Sequence, residues 1–177
     1  MRCSHCGNEM PQGVASCYVC GQPLQADAQP YMPMKWFKFL IYFALFFGAF
    51  GNFLTGINLI TGNIYGSNKE LVYGVFEDLQ TMDMIMGALL IGIAALGVYT
   101  RFRLSGFRKD GPAMIQVMYA AGAAFQLIYA LSVQAVLPSS AALELDFSSM
   151  YSGAITGVIM IFVNRSYFAK RAHLFVN

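Results

Sequence analysis

Charge is what this chain has least of. Asp, Glu, Lys and Arg make up 11% of its 177 residues and 57% are hydrophobic, whereas about a quarter of the residues in a soluble domain are charged. That balance excludes an ordinary water-facing globule and points to the membrane. The net charge of +2 is also too small to suggest a nucleic acid as partner. Histidine is nearly missing, with only His5 and His173, and there is no HExxH stretch, no pair of acids and no serine–histidine arrangement. Enzymatic chemistry has very little to stand on, so a non-enzyme is expected. No cysteine occurs after Cys20, so no disulfide framework staples the rest of the chain. The order of basic start, apolar core and small-residue cleavage site that marks a secretory signal is absent too, and the N-terminus is expected to be kept.

What the chain does have is long apolar runs. A helix of about 17 to 25 apolar residues crosses roughly 30 Å of hydrocarbon with every backbone polar group bonded internally. Four runs meet this: Trp36 to Ile60, Met84 to Thr100, Ala113 to Leu137 and Phe147 to Asn164. Lys38, near the start of the first, is placed to snorkel to the interface. The expected architecture is an all-α membrane protein, a bundle of four transmembrane helices with a small N-terminal β-hairpin zinc ribbon. Residues 1–24 form the ribbon, 25–35 a linker and 36–177 the transmembrane domain. The proline-bearing stretch QPLQADAQPYMPM reads as a tether with a reach of roughly 20 Å, which keeps the ribbon near the basic loop from Arg101 to Lys109.

The connecting segments set the orientation, because cytoplasmic loops retain positive charge. Arg2, Lys35 and Lys38 lie at or before span one, Arg101, Arg103, Arg108 and Lys109 join spans two and three, and Arg165, Lys170 and Arg171 follow span four. Lys69 alone is left for the other side, where Glu70, Glu77, Asp78, Asp83, Glu144 and Asp146 gather. A multi-pass cell-membrane protein with both termini cytoplasmic follows. The external stretch ELVYGVFEDL reads as a short interfacial helix capping the bundle, and Phe168, Ala172 and Phe175 as an amphipathic turn on anionic lipid. Asp83 reads as a helix-start residue favoured by the dipole.

The first two dozen residues hold Cys3-x2-Cys6 and, ten residues on, Cys17-x2-Cys20. Two such knuckles bring four thiolates to the corners of a tetrahedron, which suits Zn²⁺. Gly7 and Gly21 follow the knuckles, where absence of a β-carbon lets the backbone turn back and aim N–H groups at sulfur. Iron in the same ligand set and thiol redox chemistry are the competitors, and a closed metal site on the reducing side of a membrane is favoured over both. His5 is expected to point away, leaving an all-cysteine set with no open position and therefore a structural role.

With the knuckles CSHCG and CYVCG in view, the N-terminus resembles the short zinc ribbons that begin many bacterial membrane proteins. The stretches YTRFRLSGFRKDGP and YFAKRAHLFVN are similar to those of small four-span, zinc-ribbon-containing membrane proteins of Gram-positive bacteria. The resemblance implies zinc and a multi-pass layout but no established activity. Ser4 stands where related ribbons often carry proline.

Inside the spans the polar residues are neutral. Asn52, Thr55 and Asn58 share a face of span one, while Gln116, Tyr119, Ala123, Gln126, Ala130 and Gln134 form a stripe on span three. Interhelical hydrogen bonding is the plainer reading, and a polar substrate pathway the sharper one. Small residues recur every four positions, at Ala44, Gly48, Asn52 and Gly56 and at Ser149, Gly153 and Gly157, which permits close backbone approach within one chain or in a homo-oligomer. The expected role is an adaptor or accessory protein in contact with membrane lipid and a cytosolic protein partner; the alternative is a small oligomeric transporter or channel with a neutral polar pathway. Labelling Ser67→Cys and Ser105→Cys variants in intact cells with an impermeant maleimide checks the orientation: Ser67→Cys reacts, and Ser105→Cys reacts only after permeabilisation.

Overall fold

In the computed structural model of the chain, the described residues are 2–3, 5–11, 14–22, 34–137 and 147–177. Residues 23–33, most of the expected linker, and the segment with Glu144 and Asp146 lie outside them. The chain divides into two compact units, Met1–Lys35 and Trp36–Asn177. Among the described residues of the second, the named elements are all helical. Its first long helix is built from α1 (Lys35–Phe39), a π turn (Leu40–Ala44) and α2 (Leu45–Thr61). A 3-10 segment, Asn63–Asn68, leads to α3 (Lys69–Val75), followed by α4 (Glu77–Ser105), α5 (Gly111–Val136) and α6 (Ser148–Ala169).

Three helices are long and apolar enough to cross a membrane: the run containing α2, then α4 and α5. This is consistent with a membrane protein. α6 is also long, at 22 residues, but Ser148, Ser149, Ser152, Thr156, Asn164 and Arg165 dilute its apolar content. The helices turn apolar side chains outward, with Phe43, Phe46, Phe47 and Phe50 53–55% exposed, while Asp83, Thr100 and Asn164 are wholly buried. Such a surface suits a hydrocarbon solvent.

The second helix departs most from the expected boundaries, starting seven residues before Met84, at Glu77. Its first turn carries Glu77 and Asp78, which the positive end of the helix favours, so backbone helix continues where the apolar run has stopped. The expected interfacial helix is consequently split: α3 ends at Val75 and Phe76 breaks the path with φ −125° and ψ 78°. Asp83 lies well inside α4 rather than at its start.

Sequential helices pack side by side, α2 on α4, α4 on α5 and α5 on α6. The tightest approach to backbone is between two glycines. A β-carbon on Gly56 would fall 2.8 Å from the Gly87 carbonyl oxygen, and one on Gly87 would fall 2.6 Å from that of Gly56. Gly157 similarly lies against Ala123, where a β-carbon would meet the Ala123 Cβ at 3.0 Å. The small-residue faces around Gly56 and Gly157 therefore meet partners within one chain, whereas Gly48 has open space beside it.

At the end of the bundle where the first helix begins, Trp36 Nε1 donates to Asn164 Oδ1 at 3.1 Å, and the Phe37 N–H donates to the Tyr167 hydroxyl at 3.3 Å. Phe37, Phe107, Phe168 and Phe175 form one aromatic cluster, with ring centroids 5.2–6.5 Å apart. Phe168 and Phe175 are buried, which replaces the expected lipid-resting turn: the tail folds back instead. Lys109 N–H donates to the Asn177 carbonyl at 2.9 Å and Asn177 Nδ2 to the Gly106 carbonyl at 3.1 Å.

Alanine at Gly87 removes a helix-weakening residue, worth about 1 kcal/mol in an open position. Its methyl would strike backbone, which cannot rotate away, so Gly87→Ala is expected to destabilise the bundle by about 1–3 kcal/mol. Gly92→Ala, with open space beside it, is expected to be neutral or mildly stabilising. Unfolding in mixed micelles measures both.

Candidate functional site

The N-terminal unit repeats one backbone motif fourteen residues apart. Cys3 N–H donates to the Asn8 carbonyl at 2.9 Å and Gly7 N–H to the Cys3 carbonyl at 2.8 Å; Cys17 and Gln22, then Gly21 and Cys17, repeat both bonds at the same lengths. Each turn closes through a glycine at positive φ, 74° at Gly7 and 69° at Gly21, a region that residues with a β-carbon avoid. Arg2 and Glu9 form an isolated antiparallel bridge and an exposed ion pair at 2.9 Å. Among the described residues no strand forms, so the expected β-hairpin does not appear: paired turns take its place. Met10 is buried with Cys3 and Cys17, and Val14 packs on them, a core far too small to hold a fold alone.

All four sulfurs lie within 4.8 Å of one another. Cys3 Sγ is 3.7 Å from Cys20 Sγ, and Cys6 Sγ is 3.6 Å from Cys17 Sγ. A tetrahedron with metal–sulfur bonds of about 2.3 Å has edges of about 3.8 Å, so the four thiols fit a bound metal ion. His5 is exposed and outside the cluster. The backbone N–H of Cys20 lowers Cys17 to about 6, and that of Cys6 lowers Cys3. Although the Gln22 N–H favours its thiolate, burial and the neighbouring thiols push Cys20 up to about 12. Cys6 is raised by burial and by Cys17 and Cys3, against the Asn8 N–H.

The neutral polar residues divide. Asn52, Thr55 and Gln126 line one cavity of about 390 Å³ among α2, α4, α5 and α6, beside Gly153, where a β-carbon would collide with the Gln126 carboxamide. Asn58 is exposed at the end of α2. Gln116 Nε2 donates to the Pro112 carbonyl at 3.2 Å and Gln134 Nε2 to the Tyr151 hydroxyl at 2.9 Å. The stripe read from the sequence is thus one shared cavity and three separate positions.

Of the basic residues, Arg101 Nε donates to the Ile41 carbonyl inside the π turn at 2.8 Å, Arg103 chelates Asp110 through Nε at 2.8 and 2.9 Å, and the Arg171 guanidinium lies 3.8 Å over the Tyr167 ring. These cations are parts of the bundle.

One constellation was not anticipated. Asp83 is fully buried and receives three phenol donors: Tyr65 at 2.8 Å and Tyr73 at 3.1 Å on Oδ2, and Tyr129 at 3.3 Å on Oδ1. The expected helix-start role gives way to a tie between the 3-10 segment, α3, α4 and α5. The available signal was a carboxylate standing one turn before Gly87 with tyrosines in the adjoining loop.

Comparison with known proteins finds no matching family, no matching curated protein and no matching solved structure.

Cys6 and Cys20 hold their protons at pH 7, and a metal displaces them. Metal uptake at pH 7 is therefore expected to release at least two protons, from those two cysteines, and affinity is expected to fall with falling pH. Calorimetry in buffers of different ionisation enthalpy checks both.

Proposed function

We propose that the protein is a non-enzymatic adaptor or accessory protein of the cell membrane, crossing it four times with α6 as the fourth span and both ends on the cytoplasmic side. Its N-terminal module is a zinc ribbon that docks a cytosolic protein. The observation that carries this reading is the closed set of four sulfurs spaced as a tetrahedron. Zinc fits best, because it takes four thiolates without redox chemistry and four protein ligands leave no position for a reacting water. Clustering of Arg108, Lys109, Arg165 and Lys170 around the end where the chain enters the bundle supports a cytoplasmic N-terminus. A nucleic-acid partner is disfavoured, since Arg2 is already paired with Glu9 and binding needs several phosphate contacts.

A second reading, a small oligomeric transporter or channel, draws on the cavity that Asn52, Thr55 and Gln126 share. The separate engagements of Gln116 and Gln134 weigh against a continuous pathway. Affinity capture from native membranes, comparing the full chain with a variant lacking residues 1–25, tests the adaptor: a cytosolic protein is expected to be recovered with the full chain alone. Recovery of the same proteins by both, or of none, defeats it. In the triple variant Asn52→Leu, Gln116→Leu, Gln126→Leu an adaptor keeps its partner, whereas a transporter loses flux.

A further inference from the structure

A second cavity, of about 380 Å³, lies at the opposite end of the bundle from Trp36, between the α3 segment and α4, α5 and α6. That volume is within the range of about 300–1,000 Å³ usual for small-molecule sites. Its walls are aromatic and aliphatic: the Tyr65, Phe76, Tyr129 and Phe147 rings, with Val72 and Leu79. Two of these rings do more than line it. Tyr65 and Tyr129 both bond through their hydroxyls to the buried Asp83 side chain, so an ionisable acid stands behind the cavity wall.

Asp83 has no partner cation among the described residues. Among the described residues the ion pairs are Arg2–Glu9 and Arg103–Asp110, and the groups bonded to Asp83 are three phenols, donors that suit its carboxylate form. A cation entering beside a buried acid favours its charged form. The phenols extend its influence, because donating to a carboxylate makes a ring richer in electrons on its face, where cations bind within about 6 Å. Surface charge at this end has the same sign: Glu70, Glu77 and Asp78 are exposed, against the single cation Lys69.

We propose that this cavity binds a lipophilic monocation, its apolar body against the Val72 and Leu79 side and its charge on the Tyr65 and Tyr129 faces, with the Asp83 carboxylate as counter-charge. The site is independent of the N-terminal metal module. Asp83 positions the phenols and supplies the field, and the rings make the contact. A neutral amphiphile of the same shape gains the apolar contacts but nothing from the carboxylate.

Radiolabelled tetraphenylphosphonium binding to the full chain in lipid nanodiscs, above the background of empty discs, tests this, with triphenylphosphine oxide as neutral competitor. Saturable binding is expected, with the neutral compound competing at least tenfold more weakly than unlabelled tetraphenylphosphonium. Asp83→Asn, which keeps acceptors for the phenols but removes the charge, is expected to weaken binding tenfold or more. Met150→Trp fills the cavity from α6 without touching Asp83 and is expected to abolish binding. Absence of saturable binding, equal competition by the neutral compound, or binding that survives Met150→Trp overturns the proposal. Unchanged affinity in a folded Asp83→Asn protein overturns it as well. Should Asp83→Asn fail to fold, the neutral competitor and Met150→Trp decide between binding and no binding on their own.

Discussion

In a hydrocarbon solvent helices gain little from hiding apolar surface, because lipid tails are as apolar as leucine. What holds them must be close packing and internal polar bonds, and the Gly56–Gly87 contact supplies the first, backbone against backbone. With hydrogen in place of a methyl on both sides, α2 and α4 come together backbone to backbone. That approach fixes where the upper turns of α4 sit, and Asp83, one turn before Gly87, is carried into the interior by it. The loop that leaves α2 at Gly62 must then cross directly above, which is how Tyr65 and Tyr73 arrive at the same carboxylate. Close packing at one point thus creates the polar tie at another.

Several polar groups in this fold join elements that are far apart in sequence. Trp36 to Asn164, Arg101 to Ile41 and Tyr129 to Asp83 each connect different helices, while many large apolar residues face outward. The N-terminal unit meets a different problem. It has no apolar core of useful size among its described residues and brings together four sulfurs that could hold a metal ion instead.

The parts legible in the sequence were those written in local spacing. Two Cys-x-x-Cys-Gly knuckles set their own turns, apolar runs set membrane-length helices, and glycines four apart marked faces that approach closely. What escaped was written across distance. Asp83 looked like a boundary because charge ended the apolar run, yet helix formation depends on backbone bonds and continued back to Glu77. Its three tyrosines come from three different elements, and no periodicity links them. The tail misled for a related reason: Phe168 and Phe175 have the spacing of a lipid-facing turn, but Phe37 and Phe107 offered a dry aromatic neighbourhood first. Gln116 and Gln134 share a stripe with Gln126, but each found a nearer acceptor or donor.

The π turn at Leu40–Ala44 sets the angular phase of everything before it. A π turn holds one residue more than an α turn, and each residue advances a helix by about 100°. The extra residue therefore dials the segment containing Trp36 and Phe37 by roughly that angle relative to the aromatic outer face of α2. Without it, the indole of Trp36 would be turned away from Asn164, to which it now donates. Arg101, bonded to a carbonyl of that widened turn, acts as the detent that keeps the dial in place, tying the phase of the first helix to α4.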